Sequence, residues 1–263
     1  MFAVGATRFR YAGRMTAAAF SDSRVVTVPP RGRPVAWSLV AAALVLASAA
    51  LQLVASLERW VVASDSWTRD DVSVEDNLFN YFWPMDPWEN LGSTAQFYGA
   101  GTLLLALAIF AMARAAGAAE DRNTPTERTL VRVTAGSFAL TGVHALVSGI
   151  IGVPTPLQFV AIPLLAGLVG FVCLVVLGIR WLWASTATAL ACGFLLGSTL
   201  PGYFVAGYLI APALTNYSSY DTTPWTETVV AATTAAGGLA LVVAAGVTAI
   251  RRARRATTLT PHV

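Results

Sequence analysis

Lysine is missing from this chain: all 17 basic residues are arginines. Charge of either sign is scarce, at 12% of 263 residues, where a soluble globular protein carries about 25%. So little charge does not clothe a water-soluble sphere, and 56% hydrophobic residues exclude a disordered regulator. With two cysteines, Cys173 and Cys192, both inside apolar runs, there is no disulfide framework to read. The two histidines, His144 and His262, leave no pair for haem ligation inside a membrane. There is no glycine-rich phosphate loop, no HExxH, no Cys-x-x-Cys and no Ser-His-Asp set on one face. No cofactor is expected. What these absences leave is an integral membrane protein.

Six stretches are long and apolar enough to cross a hydrocarbon core, which takes about 20 residues at a helical rise of about 1.5 Å. They cover 35–57, 95–116, 133–153, 157–179, 184–214 and 228–250. The expected fold is an all-α, six-transmembrane-helix bundle. A basic arm, 1–34, precedes it, and a basic tail, 251–263, follows. The fifth stretch is interrupted by Pro201-Gly202, where the backbone ladder is expected to break.

The arginines orient the bundle. With both termini inside, the cytoplasmic pieces hold every arginine except Arg59 and Arg69. That is a positive-inside pattern, and a five-span reading would put one basic terminus on the wrong side. The expected location is therefore the plasma (inner) membrane of a bacterium, both ends cytoplasmic. The run Arg251-Arg252-Ala253-Arg254-Arg255 suits anionic lipid headgroups at about 1 kcal/mol per arginine. These clusters are short, juxtamembrane and without stacking aromatics, so nucleic acid is not an expected partner.

The outside piece between the first two spans, 58–94, concentrates acids and aromatics. It carries eight of the 14 acids and half of the eight tryptophans. Trp67, Phe79, Tyr81, Phe82, Trp83 and Trp88 are too many rings for a solvated linker. Either they fold back as a cap over the bundle, or they present a surface to a partner protein. Asp65, Asp70, Asp71, Glu75 and Asp76 are a candidate cation set, lacking the spacing of an EF-hand loop.

Inside the bundle, Thr134, Ser137, Thr141, His144 and Ser148 recur at spacings of 3 and 4, which places them on one face of the third span. An ionisable residue mid-membrane is a functional candidate. The face is either a polar track for a proton, ion or small polar molecule, or a packing seam of small hydroxyls. Gly193 and Gly197 form a GxxxG in the fifth span, a pattern that permits close helix approach.

Three functions stay open. The leading one is a non-catalytic subunit or accessory component of a membrane complex. A second is a small transporter or channel using the face around His144. The third is an intramembrane enzyme with an outer-leaflet site, pairing loop carboxylates such as Asp70 or Asp86 with His144.

Overall fold

The computed structural model describes residues 33–63, 78–120, 124–183, 185–217 and 223–258. The expected arm (except its last two residues), the end of the tail, Trp67 and the five acids Asp65, Asp70, Asp71, Glu75 and Asp76 lie outside the described residues.

Helix is the only regular structure among the described residues. Helix α1 covers Arg33–Leu57 and continues as a π turn, Glu58–Val62. Next come α2 (Thr94–Glu120), α3 (Pro125–Ile151) and α4 (Ala161–Leu182). Span five is assembled from pieces: α5 (Thr186–Leu195), a 3-10 turn (Leu196–Ser198), α6 (Leu200–Val205), a π turn (Ala206–Ile210) and α7 (Ala211–Thr215). Helix α8 covers Thr226–Thr258. Five helices are long and apolar enough to cross a membrane, and the two halves of span five, bent by 71°, make a sixth if taken as one crossing.

The helix ends follow local chemistry. Thr124 caps α3 by accepting a hydrogen bond from the Glu127 amide, with Pro125 in the first turn. Gly152, at φ 74°, ends the helix in the left-handed conformation. The third span therefore begins eight residues before its apolar stretch, because the polar segment 125–132 is helical as well.

In span five the ladder breaks at Thr199, not at Pro201-Gly202. Thr199 is extended (φ −97°, ψ 164°), and its hydroxyl accepts from the Gly202 amide as the N-cap of α6. Pro201 thus sits in a first turn, where its missing N–H removes no helical bond. Gly202 has a steric reason to be glycine, since a Cβ there would fall 2.0 Å from the Leu196 carbonyl oxygen.

Neighbours in sequence are neighbours in space. The packed pairs are α1–α2, α2–α3, α3–α4, α4–α5, α5–α8 and α8–α1, which closes a ring. One half of its interior is filled by aliphatic side chains, among them Val45, Leu105, Ile109, Met112, Leu174, Leu177, Leu195 and Leu241. This half lies toward the helix ends that carry Arg114, Arg128, Arg132, Arg180 and Arg251, called here the arginine end. The opposite half, the cap end, is filled by aromatic rings from the connection after α1. The outside of the ring is apolar: Leu39, Leu107, Ile150, Leu165, Val172, Leu209 and Val243 are all exposed. In water such a surface would drive aggregation, and in a bilayer it is matched to acyl chains.

Candidate functional site: a capped vestibule and its polar thread

The connection 78–93 has no regular structure of its own up to the turn that leads into α2, and is held by what it touches. Its aromatic residues alternate with turn formers, and rings that cannot be buried locally are buried against the helices. Tyr81, Phe82, Trp83 and Trp88 are all buried. Phe82 packs on Tyr203 (ring centroids 4.4 Å apart) and Tyr98 (5.4 Å), and Tyr81 also meets Tyr98 (5.5 Å). Phe79 is buried against Trp60, Leu78 and Leu91. Phe79, Tyr81, Phe82, Trp83 and Trp88 are thus turned into the bundle, and Trp67 lies outside the described residues.

His144 is the latch of this cap. It is wholly buried, with its ring 4.3 Å from that of Trp83. Its Nε2 lies 2.9 Å from the Pro84 carbonyl oxygen and its Nδ1 2.6 Å from the Thr155 hydroxyl. A carbonyl only accepts, so Nε2 carries the hydrogen. Thr155 then donates to Nδ1 while its oxygen accepts from the Leu157 amide. Both ring nitrogens of a neutral imidazole are satisfied in this way. A second tie is peripheral: the Gln158 side chain accepts from the Asp86 amide and donates to the Asp86 carboxylate. Asp86 is exposed at this tie, and its backbone precedes a cis peptide bond to Pro87.

Of the other members of the third-span face, Ser137 and Thr141 line a small cavity of about 20 Å³ beneath Phe82 and Trp83. Ser137 donates to the Ala166 carbonyl of α4, Thr141 donates to its own helix at Ser137, and Ser148 accepts from the Thr155 amide. Thr134 is buried with its hydroxyl unpartnered.

The strongest polar feature was not among the sequence candidates. Arg59, fully buried, donates to Glu227 at 2.7 Å, and the Trp60 indole donates to the other carboxylate oxygen at 2.8 Å. Glu227 lies in the first turn of α8, where the positive helix end favours a carboxylate. The guanidinium also lies 4.9 Å from the Trp60 ring centroid, a cation–π distance. Below this pair a thread of hydrogen bonds joins α1 to its neighbours: Ser56 with Thr228, Gln52 with Ser48 and Thr234, and Thr234 with Ser198. Ser48, Gln52, Ser56 and Arg59 are spaced 4, 4 and 3, a helical face that was readable. Arg59 itself was read as a loop residue because the apolar run ends at Leu57, whereas the π turn carries it back into the bundle.

The Tyr81 hydroxyl beside this pair has no partner. Burial, reinforced by the charge of Glu227 and opposed by Arg59, pushes its pKa well above the ordinary tyrosine value.

A cavity of about 260 Å³ opens beside the cap, lined by Phe82, Trp83, Leu164, Tyr203, Phe204 and Tyr208 among others. A groove of about 290 Å³ follows the bend of span five, lined by Gly193, Phe194, Gly197, Gly202, Val205 and Phe171 among others. Among the described residues, no three His, Cys, Asp or Glu side chains are grouped to hold a metal ion. Cys173 and Cys192 are free thiols.

No protein-family profile, curated protein or solved structure matches the chain.

Proposed function

We propose that the chain is a six-span protein of the plasma membrane, both termini cytoplasmic, acting as a non-catalytic subunit that packs against another membrane protein. The observation that carries this reading is the groove at the bend of span five. Helices in lipid have no hydrophobic drive toward one another, and they associate where small residues let backbones approach. Gly197 has an internal reason to be small, since a Cβ there would collide with Thr233. Gly193, one turn away on the same groove, has none: a Cβ would meet nothing within 4 Å. Its openness suits a helix supplied by a partner.

Transport along the α3 face has less support, because His144 is bonded on both nitrogens beneath the cap. An outer-leaflet enzyme built on His144 and Asp86 has less still, since Asp86 is exposed and tied to Gln158.

The test is purification in mild detergent with mass spectrometry of co-purifying proteins, for the wild type and for Gly193→Leu. A stoichiometric partner lost on substitution, with unchanged thermal stability, is the expected result. Absence of any such partner, or its full retention by the variant, would contradict the reading.

A further inference from the structure

Between α2 and α3 at the arginine end lies a cavity of about 180 Å³, lined by Phe110, Ala113, Arg114, Glu127, Arg128, Val131 and Arg132. We infer that it is a binding site for the phosphate headgroup of an anionic phospholipid. Arg128 and Arg132 are four residues apart on α3 and share a face, with Arg114 on α2 opposite. The acid in the lining, Glu127, is committed elsewhere: its carboxylate accepts the Trp181 indole N–H at 2.7 Å. Arg114 and Arg132 therefore bring two guanidiniums to a lining whose one carboxylate already accepts the Trp181 indole N–H. Arg114 and Arg132 have no ion pair among the described residues.

Depth selects lipid over a soluble anion. Arg132 is seven residues into α3 and Arg114 six before the end of α2. Because the apolar stretches end at 116 in α2 and begin at 133 in α3, both arginines stand at the headgroup edge of the two spans. One turn further in from Arg114, Phe110 is exposed on the flank of the bundle, and Val131 and Ala113 complete an apolar floor. A phosphate over guanidiniums with an acyl chain along Phe110 satisfies both halves of the cavity. Basic pockets between membrane helices hold anionic headgroups in this way. This site is separate from the C-terminal arginine run. It rests on the bilayer placement proposed above, and not on the partner groove.

The test uses the full chain in mild detergent, titrated with phosphatidylglycerol, phosphatidylcholine or inorganic phosphate and read by native mass spectrometry. Phosphatidylglycerol is expected to bind one per chain and resist displacement by phosphate, while phosphatidylcholine washes off. Arg114→Gln and Arg132→Gln should each weaken phosphatidylglycerol about fivefold, and Arg251→Gln with Arg252→Gln should leave that site unchanged. Equal retention of the two lipids by the wild type, which needs no variant to fold, would overturn the inference. So would phosphate displacing phosphatidylglycerol, or Arg114→Gln and Arg132→Gln binding as the wild type does. Loss of the protein partner at Gly193 leaves this result untouched, whereas a chain absent from the membrane fraction removes both.

Discussion

Arg59 and Glu227 are a charge pair withdrawn from water, and their energetics are asymmetric. Taking both charges into the bundle costs desolvation that their attraction offsets only in part, since Arg59 Nε and Nη2 are buried without a partner, and removing one charge strands the other. Glu227→Gln is expected to destabilise the bundle by about 3–5 kcal/mol, measured by thermal unfolding in detergent. The double change Arg59→Met with Glu227→Gln should recover much of that loss. At Tyr81 the sign reverses. Its buried hydroxyl is unpartnered, so Tyr81→Phe should be neutral or stabilising by about 1 kcal/mol at neutral pH. The raised pKa of Tyr81 means that above the ordinary tyrosine value the unfolded chain releases this proton and the folded chain keeps it. Stability therefore falls as pH rises through that value toward the folded one. The phenylalanine variant should show a shallower alkaline loss in the same melts. His144→Ala leaves the Pro84 carbonyl without its donor and the Thr155 hydroxyl hydrogen without its acceptor, at a cost of about 1–3 kcal/mol. Faster amide exchange across 78–91 in the variant is the expected signature of a loosened cap, and unchanged exchange would contradict the latch.

At the scale of elements, α2 and α3 cross where each presents a glycine. A Cβ at Gly99 would lie 2.4 Å from the Leu146 amide nitrogen, and one at Gly142 would lie 2.9 Å from the Gly99 carbonyl oxygen. These contacts are backbone, which has no rotamer to retreat into. Gly142→Leu should therefore force the helices apart and destabilise the bundle, whereas Gly136→Ala, facing open space, should stabilise α3 by about 1 kcal/mol. Thermal melts of the two variants check both signs. The existence of these helices was legible because lipid demands runs of about 20 apolar residues, and no folding detail changes that. Their ends were less so. The π turn past Leu57 opens on Glu58 and Arg59, and the helical segment before Val133 carries Glu127, Arg128 and Arg132, so an apolar run read from the sequence closes before them. The break in span five was legible as a break, but its position was not, since Thr199 acts as the cap and Pro201 only follows it.

For the whole molecule, the ring closes around two unlike fillings: aliphatic at the arginine end, aromatic at the cap end. The aromatic connection announced itself by composition, and His144 by its place in an apolar span. What joins them, the carbonyl of Pro84 sixty residues away, is a tertiary contact that no local pattern encodes. The same holds for Arg59 and Glu227, 168 residues apart. In the proposed topology the cap and the arginine end face opposite sides of a bilayer. The most direct test is labelling of single cysteines by a membrane-impermeant maleimide on intact cells, with Cys173 and Cys192 replaced by Ala. Cysteine at Glu89 or Asn216 should react from outside, and cysteine at Thr126 or Arg252 only after the cells are opened. Labelling at Arg252 in intact cells, with Glu89 protected, would contradict the account.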